Sequence, residues 1–574
     1  MFVSTRRITG TLVLLVAIAA CTQPTRPSAG EGQAAFTTDR SPTNAAKALT
    51  IALEGEPGIL VSGLSVTGGV SPTDFNDALH HRLVGYNDRG EPIPQIAAEL
   101  PSTANRSWIV NPDGTMRTTY RLRPGVTWHD GAPVTSRDFA LGWMVHRDPA
   151  LPVSGPVAKL VAEVETPDDH TVVIVWKSTY PFANALSQDD IGPLPTHILQ
   201  ADYESDKERF PTLPYWKREF VGTGPYRVAQ WEPGSHILAQ AYDGFYGGRA
   251  RINTIIFRFI EDGATVVANL LAGTVDGSLE AIDFNQVMFV RDEFERVGRK
   301  PTLVLVPTHW RMASVQFRPG VVRPAELLDT RARRALIHAI DRKALADTML
   351  PGAAMVADMF ITPTDPRWEW VKDVVVPHEY DRRQFQGLVE EVGWRRSADG
   401  RVLDGAGQQV TVPLWTTAGA QNEAETNIIA NYWREAGLAV DQTVIPVAQQ
   451  RDRRMRASYP GVDTTSIPLR FENSVGRVYG GECPTAENNW VGNNRGCYQH
   501  PEMDRVVEGL RTAIEPAEQR RLYREMVQHH GQRLPVLSLY FNIHADIFRD
   551  GVTGIRAASH LVRAPWNIAE WELR

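Results

Sequence analysis

Cysteine is almost missing from this sequence of 574 residues, which has only three, at positions 21, 483 and 497. No two stand in a CxxC spacing and no histidine cluster accompanies them, so a metal centre made by Cys483, Cys497 and His500 is set aside. Lysine is scarce as well. It supplies eight of the 60 Lys and Arg residues, and the net charge of −7 offers no basic face for nucleic acid. No apolar run approaches the roughly 20 residues that cross a bilayer, which argues against a transmembrane helix. Also missing are a nucleophile elbow, an HExxH helix, a P-loop and a dinucleotide fingerprint. Isolated candidates do not fill the gap. His378-Glu379 has no second histidine, His197 has no acid beside it in sequence, and the pairs Asp189-Asp190 and Glu390-Glu391 sit among polar residues. Catalysis, a resident metal and an organic cofactor are therefore not expected.

What is present is an ordinary globular composition, 43% hydrophobic and 22% charged. The length exceeds what one core usually organises, so more than one domain is expected. At the N-terminus Arg6 and Arg7 precede the apolar run Ile8 to Ala20 and then Cys21. That run is too short to span a membrane and reads as the core of a signal peptide, residues 1–20. Ile18-Ala19-Ala20-Cys21 resembles a bacterial lipobox, in which the cysteine is lipidated and anchors the exported chain. Residues 21–46, rich in Pro, Ser, Thr, Ala and Gly, read as a flexible tether. Export favours oxidation of the remaining pair, and a Cys483–Cys497 bridge over so short a loop is expected to stabilise the fold by about 3 kcal/mol.

The most informative stretch runs from Asp113 to Trp143. Asp113-Gly114, Pro124-Gly125 and Asp130-Gly131 are turn pairs, and Met116 to Leu122 and Val126 to Trp128 between them are strand-like. Thr135 and Asp138 have the form of a capping box, with Phe139, Trp143 and Met144 following at helical spacing. Elsewhere, strands are expected at Leu49 to Leu53, Thr171 to Trp176, Ile252 to Ile260, Leu303 to Val306, Ser314 to Phe317, Val410 to Thr416 and Leu438 to Ile445. Helices are expected at Thr73 to Val84, Ala264 to Ala272, Arg331 to Ile340 and Glu425 to Ala436, an alternation that argues for an α/β architecture. Arg331, Arg333 and Arg334 read as a solvated helix face.

The string Leu122-Arg123-Pro124-Gly125-Val126, His129-Asp130-Gly131, Pro133-Val134-Thr135 and Asp138 resembles the extracytoplasmic solute-binding proteins of ABC importers, in the class that captures oligopeptides, dipeptides and nickel. Gly222-Thr223-Gly224-Pro225-Tyr226 and Thr330-Arg331-Ala332-Arg333-Arg334-Ala335-Leu336 extend the resemblance, which covers about Leu49 to Arg574. It implies a two-lobed periplasmic-binding-protein type II fold, the Venus flytrap, in the large peptide-binding variety with an extra subdomain in lobe I. Residues 47–285 would form most of lobe I, 286–539 lobe II, and 540–574 the return to lobe I. The ligand would be held by Gly68, Gly69 and Val70, by Asp463, Thr464, Thr465 and Ser466, and by Tyr540 and Asn542. The aspartate motif usual after the middle strand is replaced by Thr464-Thr465-Ser466-Ile467-Pro468-Leu469-Arg470, which puts a free α-amino ligand in doubt. Asp463 and Arg470 could instead hold the ends of a zwitterion, with Trp415, Trp490 and Tyr540 as apolar walls. The expected partners are a peptide or other small solute, a permease and ATPase complex, and the membrane through the lipid; the chain is expected to be a monomer. The alternatives are a lipoprotein of the same fold that regulates envelope assembly, and an envelope hydrolase.

Overall fold

In the computed structural model, which describes residues 48–61, 75–152, 157–186 and 190–574, the first strand is β1 (Ala48–Leu53). Its Leu49 and Ile51 are fully buried, as the alternating apolar pattern requires. A four-stranded antiparallel sheet follows, made of β2 (Trp108–Val110), β3 (Met116–Arg121), β4 (Val161–Asp168) and β5 (Thr171–Trp176) in the order β2-β3-β5-β4. It encloses its own core around Tyr120, Trp128, Phe139 and Trp176. The turn glycines 114, 125 and 131 all take positive φ, at 84°, 74° and 91°, which only glycine adopts without strain. Val126 to Trp128 does not form a strand. Trp128 N–H closes a tight turn onto the Ala132 carbonyl, and Pro133, opposite Thr127, has no N–H with which to extend a ladder. The expected cap is in place: α1 (Ser136–Arg147) starts at Thr135, whose N–H donates to Asp138 Oδ2 at 2.8 Å.

The two sequence motifs of the first lobe grip each other. His129 Nδ1 accepts from Gly222 N–H and its Nε2–H donates to the Gly224 carbonyl, both at 3.0 Å. Thr223 Oγ1 accepts from His81 N–H and donates to the His81 carbonyl. A Cβ on Gly224 would lie 2.5 Å from the Leu79 carbonyl carbon, so the glycines exist for close backbone approach and not for a phosphate. That approach also limits the helix expected over Thr73 to Val84. Only Asn76–Leu79 is helical among the described residues, and Val84–Tyr86 is a strand.

The chain continues through β6 (Tyr226–Glu232), β7 (His236–Ala241), β8 (Thr254–Phe259), α2 (Gly263–Ala272), β9 (Gly277–Leu279) and α3 (Phe284–Arg296). Helix α2 ends where expected, on Gly273 at φ 74°. Next comes β10 (Thr302–Val315), one strand of 14 residues where two short ones were expected. At about 3.3 Å per residue it is ~45 Å long. Then follow α4 (Thr330–His338), α5 (Arg342–Met349), α6 (Arg382–Val392), β11 (Thr411–Thr417), α7 (Ala420–Glu435), β12 (Ala439–Ile445), β13 (Val462–Pro468), α8 (Phe471–Val475), α9 (Pro501–Leu510), α10 (Pro516–Arg533) and β14 (Val536–Phe548).

Strand β1 and strands β6 to β14 join one ten-stranded sheet, in the order β12-β11-β13-β10-β14-β9-β1-β8-β7-β6. The long antiparallel pair β10 and β14 lies at its middle, in register from Thr302 opposite Phe548 to Ser314 opposite Val536. Near Phe548 the pair belongs to a core with Leu49, Ile51, Phe257 and Trp571. Toward Val536 one face is covered by α4, α5, α6 and α7 through Leu336, Leu345, Phe385 and Trp433, and the other by α9 and α10 through Met503, Val507 and Met526. Helix α3 packs with Ala52 and Ile547, on the β1 side of the pair. Cys483 and Cys497 are bridged, with Cα atoms 4.7 Å apart. Among the described residues no helix is long and apolar enough to cross a membrane.

Arg333 corrects the reading of a solvated helix face. Arg331 is exposed and pairs with Asp329, but Arg333 is 3% exposed and donates to the carbonyls of Leu327, Leu328, Arg533 and Leu534. Those carbonyls at the end of α10 have no helical partner, and a guanidinium with five donors satisfies several at once. Burial pushes its pKa down to about 10.

Candidate ligand-binding site

Where β13, β10 and β14 run side by side, Arg311 lies opposite Ser466 on one neighbour and opposite Tyr540 on the other. Residues directly across a sheet share a face, so Thr464, Ser466, Arg311, Tyr540 and Asn542 belong to one side, the side that α7 covers. The first turns of α7 supply polar groups to it. Arg311 Nε donates to Glu425 Oε2 at 2.9 Å and its Nη2 donates to Asn422 Oδ1 at 3.0 Å. Gln421 Nε2 donates to Asn542 Oδ1 at 2.7 Å and lies 3.4 Å from Tyr540 Oη. Thr426 and Thr464 share a hydroxyl hydrogen bond of 2.7 Å.

The Arg311 and Glu425 side chains are 2% and 0% exposed. Burial is the largest single influence on Arg311 and lowers its pKa, but the charge and hydrogen bond of Glu425 together with Tyr540 outweigh it and hold the guanidinium above its ordinary value. Tyr540 is pushed up, first by burial and then by Glu425, so its hydroxyl stays protonated. The ensemble is a fixed layer of donors and acceptors, half-buried at Ser466, Gln421 and Asn542, with no group poised as a nucleophile or base.

The residues expected from sequence fall into three groups. Thr464, Ser466, Tyr540 and Asn542 are brought together in this layer, and Trp415 lies nearby on β11, its carbonyl accepting from Thr464 Oγ1 at 3.3 Å. Asp463 and Thr465 alternate to the opposite face. Asp463 is 1% exposed and accepts from Arg456 Nη2 at 3.2 Å, and burial raises its carboxyl pKa despite the arginines around it. Arg470 is exposed at the N-cap of α8, away from Asp463. Trp490 stands apart, with the Arg454 guanidinium over its ring. Gly68, Gly69, Val70 and Cys21 lie outside the described residues. Sequence reasoning missed Arg311, Gln421, Asn422 and Glu425. The one available signal was a charged residue in an apolar strand, in Trp310-Arg311-Met312.

Phe182, beside the four-stranded sheet, contacts Phe471 of α8 with ring centroids 5.0 Å apart, and Ile514 packs on the core of that same sheet. His560, in the returning C-terminal segment, lies 3.6 Å from Asp365.

One sheet threaded through two lobes by a pair of long strands, with a polar layer on those strands, is the plan of a two-lobed solute-binding protein. The chain belongs to the bacterial extracellular solute-binding proteins, family 5, whose middle region matches residues 95–467. Among curated relatives, it is 22% identical to the oligopeptide-binding protein AppA of Bacillus subtilis, over 92% of this chain and 91% of that one. Two solved structures share the fold. One is NikZ from Campylobacter jejuni in complex with Ni(L-His), at TM-score 0.66 and 20% identity, covering 92% of this chain and 99% of that one. The other is an oligopeptide-binding protein from Thermus thermophilus complexed with a pentapeptide, at TM-score 0.64 and 22% identity, covering 92% and 96%. The two-lobed α/β fold expected from the motifs is thus the fold of the family. The protein is an extracytoplasmic solute-binding protein and not an enzyme.

Proposed function

We propose that the protein captures a peptide or peptide-like solute between its lobes and delivers it to the permease and ATPase complex of an ABC importer, held near the membrane by a lipid on Cys21. The observation that supports this reading is the polar layer on β10, β13 and β14, where Arg311, Gln421, Tyr540 and Asn542 are assembled. Amide-like donors and acceptors of this kind suit a ligand with a peptide backbone, and the names of the relatives point the same way. Residues 68–70 and the Thr464 to Ser466 strand would complete the grip. With Asp463 turned to the other face and tied to Arg456, a ligand amino terminus would find no carboxylate there, so a blocked or anionic ligand is favoured. Lobe I would take residues 47–285 and 540–574 and lobe II residues 286–539. Because α3 packs with β1, the outward crossing itself would run along β10. Phe182 against Phe471 is the contact made on closure, in a protein that acts as a monomer.

The test is thermal or urea stability in the presence of a library of short peptides, with and without blocked termini. A ligand that binds only the folded protein stabilises it by about 2.7 kcal/mol at a hundredfold over its Kd. If no peptide stabilises the protein, the import reading fails and a role as a partner in envelope assembly takes its place.

A further inference from the structure

We propose that His500, Glu502 and His529 form a site for a zinc-class divalent ion on lobe II, joining the start of α9 to α10. His500 is the N-cap residue of α9, Glu502 sits in its first turn and His529 comes from α10, and their ligating atoms lie within 4.8 Å of one another. The donors of a four-coordinate zinc ion stand about 3.3 Å apart, for bonds of roughly 2.0–2.1 Å. Closing that difference needs only small side-chain movement, and the Glu502 side chain, 58% exposed, is free to swing.

Three further observations point to a ligand. His500 Nδ1 is enclosed and has no hydrogen-bond partner among the described residues, although buried polar atoms ordinarily have one. His529 is buried, and its Nε2 lies 2.8 Å from Tyr498 Oη, which leaves its Nδ1 directed at Glu502 Oε2, 3.4 Å away. This is the arrangement of a ligating histidine with an outer partner that fixes its tautomer: with an ion on Nδ1, Nε2–H donates to the Tyr498 oxygen. The frame is also rigid. Tyr498 is held through backbone bonds by the buried Asn494 side chain, the Cys483–Cys497 bridge closes the loop just before it, and α9 and α10 share an apolar core.

Two imidazoles and one carboxylate suit Zn2+, Ni2+ or Cu2+ and disfavour Ca2+ and Mg2+, which take oxygen ligands. With three protein ligands and an exposed rim, water takes the fourth position. The inference is independent of what the lobes capture, since it involves none of the residues of the polar layer.

The experiment strips the purified protein with a chelator and titrates it with Zn2+ by calorimetry, then with Co2+ by visible absorption. The expected result is uptake of one equivalent, a rise in melting temperature and a four-coordinate Co2+ spectrum. His500→Ala or Glu502→Gln weakens uptake by at least about tenfold, and Tyr498→Phe weakens it less. Glu502 is exposed, so its variant carries the test if His500→Ala does not fold. No uptake by the wild type, or uptake unchanged in both ligand variants, overturns the proposal.

Discussion

Glu425→Gln isolates the charge that the polar layer depends on. The substitution keeps the volume of the side chain and an oxygen that can accept from Arg311 Nε, but it removes the negative charge. Arg311 is 2% exposed and cannot shed its proton at any ordinary pH. It would remain buried with Asn422 Oδ1 and the Tyr540 hydroxyl as neutral company. Breaking a buried pair by removing one partner costs about 3–5 kcal/mol, most of it from the orphaned charge, while replacing both partners by apolar groups of similar size is close to neutral. Glu425→Gln should therefore lose about 3 kcal/mol, near the low end because one hydrogen bond survives. Arg311→Met with Glu425→Leu should lose no more than about 1 kcal/mol. Urea unfolding followed by tryptophan fluorescence measures both, and circular dichroism checks that the two probes move together. Peptide binding adds a second reading: the double variant should fold yet bind its ligand more weakly, because the frame that orients Gln421 and Asn422 is gone. The reasoning is refuted if Glu425→Gln costs less than about 1 kcal/mol, or if the double variant loses as much as the two single variants together.

Gly224→Ala should destabilise the first lobe by about 3 kcal/mol or more, because its Cβ would meet three backbone atoms at 2.5–2.7 Å; a melting temperature within a degree of wild type would contradict this. Acid should act through His129, whose pKa is held at about 4, chiefly by burial. A histidine lowered from about 6.5 lends stability that is complete above pH 6.5 and is lost as pH falls toward 4, up to about 3 kcal/mol for this residue; urea midpoints that do not drop between pH 7 and 4.5 would exclude it. Replacing Cys483 and Cys497 by serine opens a loop of 14 residues and should cost about 3 kcal/mol, read as a melting difference that vanishes when the wild type is reduced. Phe471→Ala removes the ring contact with Phe182 and should weaken ligand binding by about two- to tenfold with little change in unfolding; a larger stability loss than affinity loss would make the contact structural.

What could be read from the sequence follows how far apart the interacting groups lie. The turn glycines 114, 125 and 131, the Thr135–Asp138 cap and the stop at Gly273 all settle their energy within a few residues, and each is where the sequence places it. The single strand β10 looks like two in sequence because Pro307 and the polar residues Thr308, His309 and Arg311 interrupt its apolar run. Nothing local reveals that β14 pairs along its whole length and absorbs the proline at a bulge. Arg311 and Glu425 are 114 residues apart, and a charge that is buried because a distant partner balances it looks in sequence like any surface charge. Arg333 misled for the same reason, since the carbonyls it satisfies are those of Arg533 and Leu534, some 200 residues on. The motifs that announce the family are themselves structural: His129 and the Gly222 to Gly224 turn serve each other inside the first lobe. On the proposed function, recognition of the fold and recognition of the ligand rest on different residues. The first are constrained by backbone fit and keep a readable pattern, whereas the second need only present polar groups on crossing strands, so their identity can vary with the solute while the frame stays the same.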